Sequence, residues 1–165
     1  MRRSALSATA LASVLLVSVT SGAESRVPVV PDREVYAEQY LSILCPLNVE
    51  YEQMNRSLDR WERTGSTTIG APVPGFARKA FREMTEAYDH AAQRMKQVPW
   101  PDIVDKPADR ITQRFVSGVG YYGSRDTHRV KPSWKNKMDS AGSAPEYMRR
   151  LLELPPVGKG CGRRG

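Results

Sequence analysis

The feature that most constrains the fold is a stripe of apolar residues that recur at alternating steps of three and four. This spacing places them on one face of an α-helix. The stripe consists of Ala37, Tyr40, Leu44, Leu47, Tyr51, Met54, Leu58 and Trp61. It predicts a helix over residues 33–64, about 50 Å long, with Asp32 as its N-cap and Gly65 as its stop. The stripe keeps its phase across Pro46, so we predict one long kinked helix rather than two.

Two further helices follow from the same kind of pattern. The second is predicted from about Gly75 to Gln97, because Pro99 and Pro101 prevent its continuation. The third is predicted to begin near Lys106. Its glycines either let a neighbouring helix approach closely or mark the point where the helix frays. The predicted inward residues are Ala77, Phe81, Met84, Tyr88, Ala91, Met95, Val98, Ile111, Phe115, Val119 and Tyr122, and the glycines are Gly118, Gly120 and Gly123.

The C-terminal part holds a fourth, shorter helix. Ser143 is expected to cap it, with Glu146 completing a capping box, and Pro155 is expected to end it. Its predicted inward residues are Tyr147, Met148, Leu151, Leu152 and Leu154. The preceding segment, 124–143, is polar and poorly periodic, with at most a helical turn around Trp134. No stretch alternates as a strand would, so the predicted fold is all-α, a small bundle of three to four helices.

The N-terminal residues have the layout of a secretory signal peptide. Arg2 and Arg3 precede an apolar run over residues 5–19 and small residues at 21–23. That run is shorter than the roughly 20 residues of a spanning helix, which disfavours an uncleaved anchor, and the arginine pair matches a twin-arginine signal poorly. We therefore expect a secreted or extracytoplasmic protein with no transmembrane segment after cleavage. Its expected organisation is a signal peptide over 1–23, an extended leader over 24–31 and a helical domain over 32–165.

The chain contains only two cysteines, Cys45 and Cys161. In an exported protein, two cysteines most often form one disulfide. A bridge that closes so long a loop would stabilise the fold by roughly 4 to 5 kcal/mol in the chain-entropy model. The alternative is a pair of unpaired thiols. A single, widely separated pair does not have the spacing of metal ligands.

Positive charge is concentrated near the C-terminus. The chain carries a net charge of +7, and residues 125–165 hold ten basic and four acidic residues. Lysine and arginine neutralise phosphates, and aromatic faces stack on bases or sugars. The candidate polyanion-binding residues are Arg125, His128, Arg129, Lys131, Trp134, Lys135 and Lys137. Outside the cell the expected polyanion is a wall polymer or an anionic lipid head group rather than genomic DNA. The alternative is a solvated loop that binds nothing specific.

Residues suited to catalysis or metal binding are sparse. Glu86 and His90 are four apart on the predicted second helix and share a face. No second pair of this kind occurs, so a solvated charged face is favoured over a metal-dependent enzyme. No serine lies in a nucleophile elbow, and both cysteines are expected in the disulfide. We therefore predict no catalytic residue, no cofactor and no metal.

Several short motifs, taken together, resemble those of a group of uncharacterised exported proteins from high-GC Gram-positive bacteria, many of which carry a lipid anchor. The motifs are Tyr40-Leu41, Cys45-Pro46 followed by Asn48 and Asn55, Trp100-Pro101, and Leu154-Pro155-Pro156 before the final cysteine. The resemblance implies a secreted helical domain with a disulfide from its first helix to its tail, and it implies no activity. This chain lacks the cysteine at the cleavage site that the lipid-anchored members have, which indicates a released protein.

These observations predict an exported, non-enzymatic helical protein that acts as an interaction domain of the cell envelope or the extracellular space. The expected partner is a protein or an anionic envelope polymer. The alternative is a polyanion-binding module that uses the basic segment, residues 125–137.

Overall fold

The computed structural model describes residues 29–65, 67–135, 142–156 and 161. Their elements are α1 (Arg33–Thr64), α2 (Gly75–Gln97), α3 (Asp102–Gly123), a 3₁₀ turn (Pro132–Lys135) and α4 (Ala144–Leu151). Helix α2 packs against both α1 and α3, and α4 packs against α3. The predicted all-α bundle is confirmed for this part of the chain. The predicted signal peptide and the first residues of the predicted leader lie outside the described residues.

Helix α1 runs without interruption through Pro46, as predicted. A proline has no N–H, so the carbonyl of Ser42, one turn earlier, loses its helical partner. Arg94 of α2 supplies the missing donor. Its Nη1 lies 2.8 Å from the Ser42 carbonyl oxygen, and its Nη2 lies 2.9 Å from the Ser42 Oγ. A side chain from the neighbouring helix therefore compensates for the proline.

The predicted side-chain caps are wrong at two helices. Asp32 occupies the N-cap position of α1, but its side chain makes no capping hydrogen bond and its φ is 48°. Its carbonyl oxygen instead accepts from the N–H groups of Val35 and Tyr36, at 3.0 and 3.3 Å. Ser143 likewise makes no side-chain cap on α4, so the capping box with Glu146 does not form. In both cases the backbone at the N-cap position lies outside the extended region in which side-chain caps usually form.

Helix α3 begins at Asp102, earlier than the predicted start near Lys106. Pro101 precedes it in an extended conformation, and Asp102 and Asp105 place negative charge in its first turn, where the helix dipole favours it. Pro107 lies in the second turn of α3 and removes a single backbone hydrogen bond near the N-terminus of the helix. The start of the helix is therefore set by Pro101.

The core contains most of the predicted apolar faces, with some corrections at their edges. The largest fully buried side chains are Tyr40, Phe81, Met84, Met95, Met148, Leu151 and Val104. Tyr51 and Tyr147 were predicted to face inward, but they are 45% and 40% exposed. Ile43, outside the predicted stripe, is 3% exposed. Near the middle of α1, the buried face therefore includes Ile43 and excludes Tyr51, which differs slightly from the predicted face.

A disulfide joins Cys45 of α1 to Cys161, across a sequence separation of 116 residues and a Cα–Cα distance of 5.3 Å. This confirms the predicted pairing and leaves neither cysteine of the chain free. An ion pair between Arg33 and Glu153 also connects the start of α1 to the residues after α4. None of the described helices has both the length and the apolar character needed to cross a bilayer.

Candidate functional site

An aromatic cleft of about 500 Å³ lies where the end of α1 and the first turns of α2 meet the loop after α3. Its floor is formed by Trp61, Phe81 and Trp134. The Trp134 ring contacts the other two edge-on, at centroid distances of 5.9 Å to Trp61 and 5.3 Å to Phe81. The remaining lining residues are Leu58, Glu62, Thr67, Thr68, Ile69, Arg125, Val130 and Lys131. The cleft is thus apolar at its floor and carries a few charged groups.

Gly65 allows α1 to end against this cleft. Its N–H donates to the Trp61 carbonyl oxygen at 2.7 Å, which closes the last turn. A Cβ atom at position 65 would lie 2.6 Å from Cδ1 of the Trp61 ring. Only glycine fits beside the indole, since a contact under 3.0 Å requires the ring to move. Gly65, the predicted stop of α1, therefore also leaves room for the Trp61 ring in the cleft.

Arg125 supports one wall of the cleft. Its Nη2 donates to the Tyr121 hydroxyl and, at 2.7 Å, to the Trp134 carbonyl oxygen. Its guanidinium also lies over the Tyr121 ring, 4.0 Å from the centroid, and 5.6 Å from the Trp134 ring. Such contacts are favourable because the ring faces carry partial negative charge. Arg125 thus holds the 3₁₀ turn against α3.

Two loops pair beside the cleft through backbone hydrogen bonds. The N–H of Gly70 donates to Val130, that of Val130 to Ala71, and that of Val73 to His128, each at 2.9 Å. This pairing includes an isolated antiparallel bridge between Pro72 and Arg129. The predicted loop between α1 and α2 and the basic segment therefore form one surface.

The basic segment is divided by these contacts. Arg125 and Trp134 are half-buried and make the internal contacts described above, whereas His128, Arg129 and Lys131 are exposed. Arg129 also donates to the Gly70 carbonyl oxygen at 2.7 Å. The Lys135 side chain and all of Lys137 lie outside the described residues. Polyanion binding by this segment stays a prediction.

Glu86 and His90, the candidate metal ligands, line a separate surface cavity of about 330 Å³. Glu50 and Glu83 line the same cavity, and Arg94 lies at its edge. Within the described part of the chain, no group of three or more histidine, cysteine or acidic side chains is arranged to hold a metal ion. Glu83 also forms an ion pair with Lys79 at 3.6 Å.

A third cavity, of about 350 Å³, is lined mainly by polar groups. Its lining residues are Asn48, Tyr51, Tyr88, Arg114, Tyr121 and Tyr122. The Tyr88 and Tyr122 rings stack with centroids 5.4 Å apart, and Tyr121 packs edge-on against Tyr122 at 4.9 Å. Burial raises the pKa of both Tyr88 and Tyr122, while the positive charge of Arg114 acts in the opposite direction on the pKa of Tyr88. We call this the tyrosine cavity.

Sequence reasoning did not identify the tyrosine cavity. Two spacings mark the residues that each helix contributes to it. Asn48 and Tyr51 are three residues apart on α1, and Arg114 and Tyr121 are seven apart on α3. Each pair shares a helix face with polar groups beside an apolar stripe. The fact that the two pairs face each other depends on how the helices pack, which the sequence pattern does not specify.

Comparison with known proteins adds no family assignment, because the chain matches no family model, no curated protein and no solved structure.

Proposed function

We propose that the protein is an exported, non-enzymatic binding domain, and that its aromatic cleft holds an apolar group of a negatively charged ligand or partner. The observation that carries this proposal is the cleft itself. It combines the volume of a ligand pocket with a floor of two tryptophans and a phenylalanine. Exposed Ile69 and Lys131 at its edge would contact a bound molecule first.

Export is supported by the predicted signal peptide and by the disulfide between Cys45 and Cys161. Disulfides persist in oxidising surroundings and are rare in the reducing cytosol. The resemblance to exported helical proteins points in the same direction.

The preference for negative charge follows from the lining of the cleft. Arg125 and Lys131 contribute positive charge, and Glu62 is the one acidic residue among the described lining residues. Arg125 forms no ion pair with a described carboxylate, so its charge is not neutralised within the cleft wall. An anionic group near Lys131 and Arg125 would be attracted, and more strongly as water is displaced from the apolar floor.

The direct test compares two dyes of similar shape with the full-length protein. Anilinonaphthalene sulfonate carries a negative charge, and N-phenylnaphthylamine does not. Both are expected to bind, the charged dye more tightly. In a Trp100→Phe background, the two remaining tryptophans both belong to the cleft, so their fluorescence reports binding there.

Two substitutions separate the apolar and the charged contributions. Ile69→Ser is expected to weaken both dyes by about tenfold, whereas Lys131→Gln should weaken only the sulfonate, by about threefold. Val116→Ser is the matched control, because Val116 is also 50% exposed but lies on α3 away from the cleft. Equal effects of Ile69→Ser and Val116→Ser, or no binding of either dye, would exclude the cleft as the binding surface.

A second candidate function is supported by the exposure of His128, Arg129 and Lys131 on the paired loops. Two neighbouring cations beside an imidazole favour binding to an anionic polymer. The double variant Arg129→Gln/Lys131→Gln should then elute from a heparin matrix at lower salt than the control Arg82→Gln/Lys96→Gln, which removes two exposed cations of α2. Equal elution of the two variants would remove this candidate.

A further inference from the structure

The tyrosine cavity is lined by a cation, Arg114, that forms no hydrogen bond or ion pair with the described residues. The Arg114 side chain is half-buried, and its Nη1 atom is inaccessible to solvent and has no hydrogen-bond partner. Arg114 also forms no ion pair with a described acidic residue. Buried polar groups in native proteins are nearly always paired, and a buried charge without a partner is especially unfavourable. This guanidinium therefore has hydrogen-bonding capacity and charge that the described residues do not use.

The cavity around Arg114 is lined by hydrogen-bond donors. Tyr51 lines the cavity and is 45% exposed. The Tyr121 hydroxyl accepts a hydrogen bond from Arg125, which leaves its own O–H proton available to donate. The Asn48 amide nitrogen lies 3.5 Å from the Cys161 sulfur, which fixes this side chain at the cavity wall. No carboxylate is among the lining residues.

A positive guanidinium beside several hydroxyl donors is complementary to an oxyanion. Arginine binds carboxylate and phosphate groups through two parallel N–H···O bonds, and each is stronger than a bond between neutral groups. Tyrosine hydroxyls add further donors without adding negative charge. A neutral ligand would leave the charge of Arg114 uncompensated.

We propose that the tyrosine cavity binds a small oxyanion of the phosphate or carboxylate class, with Arg114 as its cationic anchor and the hydroxyls of Tyr51 and Tyr121 as further donors. The cavity volume of about 350 Å³ leaves room for a ligand larger than the anionic group alone. This site is separate from the aromatic cleft, and its occupancy does not depend on the function proposed for the cleft.

Calorimetric titration of the full-length protein with inorganic phosphate, and separately with acetate, tests this proposal. Sodium chloride at matched ionic strength serves as the control for screening. Saturable binding of either oxyanion, with no comparable signal from chloride, is expected. The absence of saturable binding of both would overturn the proposal and would indicate that water fills the cavity.

Variants of α3 assign the binding to Arg114. Arg114→Gln is expected to weaken binding by about tenfold or more, because it removes the charge-assisted bonds. Arg114→Lys keeps the charge but loses the two-pronged geometry, so it should bind with intermediate affinity. Arg110→Gln is the matched control, since Arg110 is an exposed arginine one turn earlier on the same helix.

An equal loss of affinity in Arg110→Gln and Arg114→Gln would show that the anion responds to the general charge of α3, and would contradict the proposed site. Circular dichroism of each variant confirms that the helices are intact before the titration. Retained dye binding in the cleft by Arg114→Gln would show that the two sites are independent.

Discussion

The aromatic cleft and the tyrosine cavity each contain a half-buried arginine from the same region of the chain, but the two side chains have different surroundings. Arg125 donates to Tyr121 and Trp134 and lies over aromatic rings. Both arginines have one buried nitrogen without a hydrogen-bond partner among the described residues, Nη1 of Arg114 and Nε of Arg125. Arg114 differs because its guanidinium forms no other hydrogen bond or ion pair with a described residue. Tyr121 connects the regions, because its hydroxyl accepts from Arg125 while the residue lines the tyrosine cavity.

The difference teaches that local charge density is a poor guide to which cation is available to a ligand. Arg125 belongs to the basic segment of the sequence, yet its Nη2 already donates to Tyr121 and Trp134 and its guanidinium lies over the Tyr121 ring. Arg114 lies in α3 among acidic, basic and apolar residues, where the composition indicates no concentration of charge. Availability depends on the partners that folding supplies, and those become visible only in three dimensions.

The largest expected effect is a loss of stability when a methyl group is added at Gly118, beside the Tyr88 ring of the tyrosine cavity. A Cβ atom at Gly118 would lie 2.4 Å from Cδ1 of the Tyr88 ring, so Gly118→Ala must displace a ring of the cavity. We expect the free energy of unfolding to fall by about 2 to 3 kcal/mol, as in overpacked cores. Urea denaturation followed by circular dichroism measures this change.

The control for this substitution lies two residues further along α3. A Cβ atom at Gly120 would meet no atom within 4 Å, so Gly120→Ala should be neutral or stabilise the helix by up to about 1 kcal/mol. Phosphate binding should weaken in Gly118→Ala and persist in Gly120→Ala. The opposite ranking of stabilities would show that Gly118 marks a frayed helix end and not a close approach.

A smaller change in the free energy of unfolding distinguishes Arg125 from Arg114. Arg125→Gln removes two hydrogen bonds and the ring contacts, so it should lower the free energy of unfolding by about 2 kcal/mol. Arg114→Gln removes a charge that pairs with no described residue, so in phosphate-free buffer it should change the free energy of unfolding by less than about 0.5 kcal/mol or increase it. Parallel urea titrations give both values, and equal destabilisation would contradict the comparison.

The smallest effect is a loss of stability at alkaline pH. Burial raises the pKa of Tyr40 to about 12, and it raises the pKa of Tyr88 and Tyr122 in the tyrosine cavity. The unfolded chain loses these protons first, near pH 10. The contribution is therefore complete below that pH and is lost as the pH rises through the folded-state pKa values.

At about pH 11, we expect Tyr40 alone to lower the free energy of unfolding by about 1 kcal/mol. Tyr40→Phe and Tyr122→Phe should each show a shallower fall between pH 10 and 12 than the native chain. A stability that is unchanged across this range would contradict the burial of these hydroxyls.

Most of the helical architecture could be predicted because its signals are local. The apolar periodicity and the flanking prolines and glycines give α1 and α2 their observed bounds. The disulfide could be predicted because only one pairing within the chain is possible. Helix existence and type depend on such short-range patterns, and the packing of α4 confirms most of its predicted inward residues.

The errors in predicted burial arise where tertiary contacts determine whether a side chain is buried or exposed. Tyr51 continues the apolar stripe of α1, but the tyrosine cavity leaves it at the surface. Tyr147 fits the apolar face of α4, yet it lies at the edge of that face, with the Arg150 guanidinium 5.7 Å from its ring centroid. Arg149 is instead buried, and donates to the Pro155 carbonyl. Amphipathic residues tolerate either environment, so periodicity alone cannot rank them.

The candidate site was predicted only in part. Arg125 and Trp134 were predicted as polyanion-binding residues of the basic segment, and that binding stays a prediction. Their roles in packing depend on Tyr121 and Phe81, which lie on two different helices. Asn48 and Arg114 come together from α1 and α3 across 66 positions of sequence. Contacts over such separations are set by the packing of whole helices and leave no short sequence motif.

The bond between residues 45 and 161 turns the domain into a covalent ring that includes all of α2, α3 and α4. A single proteolytic cut in the exposed loop at residues 67–70 would open that ring without dividing the molecule. The two polypeptides would remain attached through sulfur, and their helices would remain within reach of each other. A nicked copy would therefore migrate as one species until a reductant separated its halves.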